Sequence, residues 1–164
     1  MTAPALRPYL PADAPVLAAI FREAVEELTI DEYDDEQRAA WAAAADDVEA
    51  FARRLASMLT LVAVEKGRPV AFASLEDNEM IAMLYVHPDV AGRGFAAALA
   101  DALEKLAFAR GAKQVTTDAS DVSRGFFQHR GYTPTQRNSV MRAGQWLANT
   151  TMVKRLTAPA GRLQ

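Results

Sequence analysis

Apolar residues recur at the spacing of an α-helix through the first third of the chain. Asp13 and Pro15 mark a helix start, because Asp accepts hydrogen bonds from unpaired N–H groups and Pro is tolerated in the first turn. One apolar face then runs from Leu17 to Leu28. Further helical patterns begin near Trp41 and at Val48. This third is therefore predicted to be helical after a short extended segment.

The rest of the chain alternates between strand and helix patterns. Two predicted strands flank Lys66-Gly67-Arg68 and form a hairpin. The patterns that follow are an apolar strand at 81–86, a helix from Phe95 to Gly111, a strand at 113–118, a short helix at 123–130 and a strand pair at 133–156. This order predicts an α/β chain of the α+β type. We expect a single twisted, mixed and mostly antiparallel sheet of about six to seven strands flanked by about four helices. One domain would cover 1–156, followed by a loose tail at 157–164.

Composition narrows the class of function. The 164 residues are 51% hydrophobic and 24% charged, which is typical of one globular domain. The absence of cysteine and the presence of only two histidines predict no metal site. A net charge of −3 without a basic stripe argues against nucleic-acid binding. No targeting segment and no apolar run of about 20 residues is visible, so a cytoplasmic location without membrane binding is expected.

The chemistry is concentrated in a glycine turn. Gly92 and Gly94 follow a predicted buried strand and precede a helix that starts near Phe95. Glycine permits torsions closed to other residues and removes the Cβ atoms that keep a ligand away, and a helix start adds free N–H groups and partial positive charge. The turn therefore predicts a pyrophosphate site. A helix entry that merely needs two glycines is the alternative.

Two nucleotide motifs overlap this turn. Residues 92–97 match the dinucleotide fingerprint Gly-x-Gly-x-x-Gly/Ala, and Asp118 ends the next strand where a ribose-binding acid belongs. Five residues, 87–91, separate the strand from the turn, however, and fewer than about 50 residues follow Asp118, too few for a doubly wound sheet. An NAD-binding protein is therefore kept only as a remote alternative. A mononucleotide P-loop is excluded, since no Gly-Lys-Ser/Thr is present.

The stretch from Val86 to Leu99 resembles motif A of the GNAT superfamily, the acyl-CoA-dependent N-acyltransferases. Residues 126–132 are similar to that family's Phe-Tyr-Glu-Lys-x-Gly-Phe stretch, and the order of elements fits from Leu6 to Leu156. A closer likeness is to a bacterial branch, the YafP-like proteins. That likeness lies in four features: Trp41, the Phe126-Phe127 pair, Trp146 and Asn149.

The resemblance implies a GNAT fold and an acetyl-CoA-dependent N-acetyltransferase with acetyl-CoA as co-substrate. The cofactor-binding residues implied by it are the backbone of the glycine turn and of the preceding strand, with one aromatic beside the thioester: Ala91, Gly92, Arg93, Gly94, Phe95 and Ala96, then Leu84, Tyr85 and Val86, then Phe127. Two departures stand out. Ala91 occupies a position that is normally Arg or Gln, so Arg93 either substitutes for it or is simply solvated. Phe127 replaces the Tyr that protonates the departing thiolate in many relatives.

An N-acetyltransferase of this kind must deprotonate its acceptor. At a lysine-like pKa of about 10.4, only about one amine in 2,500 is neutral at pH 7. Glu79 is the expected general base, with Glu76 and Asp118 as alternatives. The acceptor pocket is expected to include Tyr33, Trp41 and Trp146. The acidic segment 26–36 would favour a cationic acceptor if it bordered that pocket.

The expected partner is a small-molecule or peptide amine, and a homodimer is left open. A non-catalytic acyl-CoA sensor or partner-binding module on the same fold is the alternative of another class.

Overall fold

The computed structural model describes residues 4–157, so all but Thr157 of the predicted tail lies outside the described residues. The strands are β1 (Ala5–Pro8), β2 (Leu59–Glu65), β3 (Arg68–Glu76), β4 (Met80–Val86), β5 (Gln114–Ser120), β6 (Thr133–Arg142) and β7 (Gln145–Arg155). The helices are α1 (Ala14–Leu28), α2 (Asp35–Ala42), α3 (Val48–Ala56), α4 (Phe95–Ala109) and α5 (Arg124–His129). Residues 4–157 thus contain five α-helices, in agreement with the prediction of about four.

One seven-stranded sheet has the order β1-β2-β3-β4-β5-β7-β6. All neighbouring strands are antiparallel except β4 and β5, which are parallel because α4 crosses between them. The predicted mixed, mostly antiparallel sheet is confirmed. Within residues 4–157 there is no doubly wound parallel sheet, the architecture that the NAD alternative requires.

Two apolar cores lie on opposite faces of this sheet. Alternation along β3 directs Ala71 and Ala73 toward α4, and Phe72 toward α1 and α3. The α4 core contains Leu99 and Leu103, both fully buried. Helices on both faces leave the middle of the sheet covered, so access to β4 is limited to places where the strands separate.

The start of α1 differs from the expected capping. The helix begins at Ala14, as Asp13 predicts, but the Asp13 side chain makes no capping bond to α1. Its carboxylate accepts two hydrogen bonds from Arg7, at 2.7 and 2.8 Å, and one from the Leu10 N–H at 2.8 Å. The Arg7 hydrogen bond lowers the pKa of Asp13 despite the opposing effect of burial. Asp13 therefore ties β1 to the turn before α1.

A buried charge cluster that the sequence pattern does not reveal joins α4 to the C-terminal strands. Glu104 is 7% exposed. Its carboxylate accepts hydrogen bonds from Lys154 at 2.7 Å, from Arg130 at 3.1 Å and from the Tyr132 hydroxyl at 2.8 Å. Burial and the Glu104 charge raise the pKa of Tyr132. The carboxylate is thus satisfied by three side chains from two other segments of the chain, residues 130–132 and β7.

A β-bulge in β4 prepares the site. Ser74 pairs with Met83 and Leu75 with Ile81, which leaves Ala82 without a partner on β3. The extra residue reverses the alternation, so Ile81 packs in the α4 core and Met83 in the α1 core, although they are two positions apart. Just here β4 and β5 diverge: the only paired positions are Met80 with Thr116 and Ile81 with Thr117. Beyond the bulge, β4 has one open edge.

Candidate active site

The open edge of β4 presents backbone groups of Leu84 and Val86. The His87 N–H donates to the Val70 carbonyl at 2.8 Å, and the register from there to Met83 is continuous. His87, Tyr85 and Met83 therefore exchange hydrogen bonds with β3, and the backbone groups of the residues between them point to the other side. Of the three residues predicted to pair with an acyl-CoA arm, Tyr85 thus turns its backbone toward β3.

A cavity of about 340 Å³ passes through the gap between β4 and β5, within the size range of small-molecule sites. Its walls come from β4 and β5, from α1 to α3, and from the hairpin of β6 and β7. Leu84, Val86 and Phe127 line one side of β4. Phe21 and Tyr85 line the α1 side. The gap therefore connects two half-sites, one on the α4 side of the sheet and one on the α1 side.

The glycine turn offers a run of unused donors. Gly92 and Gly94 have φ of +77° and +91°, so both positions require glycine for an unstrained backbone. In residues 4–157, no acceptor is recorded for the N–H groups from Gly92 to Ala97, and no side chain caps α4. A Cβ at either glycine would meet no heavy atom within 4 Å. Donors that face open space at a helix start fit a pyrophosphate group.

Arg93 is neither free nor simply solvated. Its guanidinium forms a two-point ion pair with Glu65 at the end of β2, one contact being 3.1 Å, and lies 5.5 Å over the Phe95 ring. Ala91 donates its N–H to the Pro88 carbonyl and closes the turn before the glycines. The glycine turn therefore carries a positive charge at Arg93, but this charge is paired with a carboxylate.

Phe127 lies at the cavity wall and is 3% exposed. Its ring packs edge-on against Phe126 and Tyr132, with centroids 5.1 and 5.0 Å away. Aromatic neighbours therefore pack on two sides of the ring, and the side chain has no group that could exchange a proton.

The three predicted acceptor-pocket residues do not share one role. Tyr33 lines the cavity, but its hydroxyl donates to the Ala148 carbonyl at 2.8 Å and accepts from the Asp121 N–H at 2.9 Å, so it joins the α1–α2 loop to the sheet. Trp41 lines the cavity and donates its Nε1–H to the Tyr85 hydroxyl at 3.3 Å. Trp146 is 58% exposed on the hairpin and is not part of the cavity wall.

The candidate bases occupy different places. Glu79 is exposed on the turn before β4, where the strands are still paired, and is not part of the cavity wall. Glu76 is exposed at the other end of that turn and is likewise outside the wall. Asp118 does line the cavity where the strands separate, and its Oδ1 accepts a hydrogen bond from Thr151 at 2.7 Å. Among the described residues, Asp118 is the one carboxylate of this wall.

Three side chains that could bind a ligand were not predicted from the sequence: those of Tyr85, Arg54 and Arg142. All three line the α1 side of the cavity. They come from β4, α3 and β6, so no local motif could have grouped them. In the described part of the chain, no cluster of three His, Asp or Glu side chains is arranged for a metal ion.

Comparisons with known proteins agree on one family. A family model described as Acetyltransferase (GNAT) domain matches residues 29–156. The uncharacterised N-acetyltransferase YafP of Escherichia coli (strain K12) is 33% identical over 147 residues, covering 90% of this chain and 93% of YafP. A crystal structure of a GCN5-related N-acetyltransferase from Rhodopseudomonas palustris has 58% identity and a TM-score of 0.94, covering 95% of this chain and 98% of that one.

A more distant structure, YncA from Salmonella typhimurium with acetyl-CoA, has a TM-score of 0.65 at 23% identity, with 97% of each chain covered, and supports the fold. Within residues 4–157, no helix has the length and apolar character needed to cross a membrane. The family model and the YafP match span most of the sequence, and the chain therefore belongs to the GNAT family of acetyltransferases.

Proposed function

We propose that this protein transfers an acetyl group from acetyl-CoA to a primary amine by direct attack of the amine on the thioester. The observation that carries the proposal is the divergence of β4 from β5 after Ile81, which leaves the edge at Leu84 and Val86 open to an extended ligand. Membership of the GNAT family and the acetyl-CoA bound to YncA support acetyl-CoA as the co-substrate.

The chain supplies binding and orientation. The N–H groups from Gly92 to Ala97 would hold the pyrophosphate, and the edge at Leu84 and Val86 would pair with the pantetheine arm. An N–H of this edge would donate to the thioester carbonyl oxygen, where negative charge develops as the amine attacks. A fixed donor of this kind stabilises the transition state without reorganising water.

Asp118 is the proposed general base. The amine nitrogen forms a bond to the acetyl carbon, its proton passes to Asp118 directly or through one water, and the carbon–sulfur bond breaks. Asp118 is favoured over Glu79 because its carboxylate lines the cavity where the two half-sites meet. The hydrogen bond from Thr151 to Oδ1 fixes the carboxylate and leaves Oδ2 available.

The thiolate leaves without a side-chain acid at position 127. An alkyl thiol has a pKa of about 8.5 or slightly above, so the thiolate is a tolerable leaving group near neutral pH and takes its proton from water. Phe127 then serves as an apolar wall that keeps bulk water from the thioester.

The matched variants Asp118→Asn and Glu79→Gln test the base. With a panel of primary amines and detection of the released thiol, we expect Asp118→Asn to lower kcat/KM at pH 7 by roughly 10²–10⁴-fold, the usual contribution of a positioned base. Activity should recover above about pH 9, where more of the amine is already neutral. Glu79→Gln should behave as wild type. The reverse ranking would return the role to Glu79.

Ligand binding separates the proposal from its alternatives. Acetyl-CoA at a hundredfold excess over its Kd should raise the free energy of unfolding by about 2.7 kcal/mol through mass action, and the melting temperature should rise with it. NAD should change neither quantity. A sensor on the same fold would also be stabilised by acetyl-CoA. Thiol release with an added amine, absent without it, distinguishes the transferase from the sensor.

A further inference from the structure

The α1 half-site of the cavity carries positive charge. Arg54, at the C-terminal end of α3, and Arg142, at the end of β6, both line it. Among the described residues, the Arg54 and Arg142 side chains make no hydrogen bond; only backbone groups of these residues are bonded, within α3 and to Ser57 for Arg54 and in the β6–β7 pairing for Arg142. Within residues 4–157, neither guanidinium has an ion-pair partner, in contrast to Arg7, Arg93 and Arg137.

A third donor points into the same region. The Tyr85 hydroxyl accepts the Trp41 Nε1–H at 3.3 Å, and no acceptor for its own proton is recorded among the described residues. Burial raises the pKa of Tyr85, so the hydroxyl remains a donor, while Arg54 and Arg142 act on that pKa in the opposite direction. Both arginines line the same cavity as Tyr85.

This half-site has donors without a matching acceptor. Guanidinium groups offer only donors, and a phenol oxygen that already accepts a bond offers its proton. None of the carboxylates in the acidic segment 26–36 lines the cavity, so the cationic acceptor that this segment suggested is not favoured. Beside a few uncharged polar residues such as Thr29 and Asn149, this part of the wall is apolar and aromatic, with Phe21 4.5 Å from Tyr85 between ring centroids, and with Val140 and Leu147 on the hairpin.

We infer that the acceptor amine bears a carboxylate on an apolar or aromatic body, as apolar amino acids do, and that Arg54, Arg142 and Tyr85 bind this carboxylate. The inference rests on the proposed transfer and specifies its acceptor. Two guanidinium groups match a carboxylate in charge and geometry. The aromatic wall covers the body of the acceptor, and Asp118, at the strand gap, lies within the same cavity to receive the proton of the amine.

Phenylalanine, phenylalaninamide and phenylethylamine form a matched series in which only the carboxylate changes, and the amide also mimics a peptide N-terminus. Calorimetric binding to the protein saturated with CoA gives a readout that needs no turnover. We expect phenylalanine to bind about 10- to 100-fold more tightly than either analogue, the usual range for hydrogen bonds to a charged group. Arg54→Gln and Arg142→Gln should each remove most of this preference.

The neighbouring variant Arg53→Gln is the control, because Arg53 is exposed on the same helix and is not part of the cavity wall. Equal binding of the three compounds, no binding of phenylalanine, or an unchanged preference in both arginine variants would overturn the inference. Turnover of all three amines at similar kcat/KM would overturn it while leaving the transfer intact. Preferential binding of phenylalanine without thiol release would instead refute the proposed transfer and leave the carboxylate site standing.

Discussion

Replacing Glu65 by Gln should tighten the binding of CoA. Arg93 is the cation closest in sequence to the free N–H groups of the glycine turn, and it is paired with Glu65. If Arg93 contacts the pyrophosphate, it must leave this carboxylate when the ligand binds. Glu65→Gln removes the competing charge and keeps the shape of the side chain.

The size of the effect follows from exposure. Arg93 and Glu65 are 52% and 30% exposed, and such pairs contribute about 0–1 kcal/mol. A hydrogen bond from a guanidinium to phosphate contributes about 1.5–3 kcal/mol. Arg93→Ala should therefore weaken CoA binding by about 0.5–3 kcal/mol after loss of the pair is subtracted, and Glu65→Gln should strengthen it by up to about fivefold.

Titration calorimetry with CoA at low and at physiological salt measures both effects. The gain from Glu65→Gln should shrink in the Arg93→Ala background, since the two side chains act on each other. Glu27→Gln, an exposed carboxylate on α1, controls for net charge. Weaker binding of CoA by Glu65→Gln would refute the reasoning, because Glu65 would then orient Arg93 toward the phosphates rather than compete with them.

Three further predictions concern the turn, the buried charge and pH. Gly94→Val should abolish tight CoA binding measured by calorimetry. The control Gly67→Val places the same side chain at a positive φ on the β2–β3 hairpin, so it should cost similar stability and leave CoA binding unchanged. Glu104→Gln should lower the unfolding free energy by about 3 kcal/mol in urea titrations, since the charged partner of three buried or half-buried donors is lost. Asp101→Asn, at an exposed position on the same helix, should change it by less than about 1 kcal/mol. The pKa of Asp13 is lowered in the folded protein, so Asp13 contributes fully to the free energy of unfolding above its unfolded pKa of about 3.9, and this contribution declines as the pH falls through the folded pKa. The melting temperatures of wild type and Asp13→Asn should therefore differ at pH 6 and converge toward pH 2.

Local signals in the sequence predict most of the fold, because helix starts, glycine stops and strand alternation are properties of neighbouring residues. The start of α4 at Phe95 and the hairpin turn at Ala143-Gly144 follow such signals and are confirmed. The same holds for the glycine turn, whose positive φ values are set by residue type.

The details of the site depend on contacts between distant segments. The pairing of Arg93 with Glu65 joins the glycine turn to the end of β2, and Arg54 reaches the cavity from a helix that has no motif of its own. Asp118 and Glu79 are both acids at the ends of predicted strands and are indistinguishable in the sequence. Only the position at which β4 leaves β5 separates them, since Asp118 lies at the gap and Glu79 before it.

The unpaired Ala82 shows that this cavity is encoded by the number of residues in a strand as well as by their identity. With strict alternation the backbone groups of Met83 and Tyr85 would face β5, as those of Ile81 do; the bulge at Ala82 turns them to β3 and leaves those of Leu84 and Val86 free. A scan that substitutes one side chain at a time would pass over this determinant, because any small residue at position 82 preserves the count. Deletion of Ala82 would join the Leu75–Ile81 and Ser74–Met83 pairs into one continuous register, so Leu84 and Val86 would keep their outward side while the bend at which β4 leaves β5 would be lost.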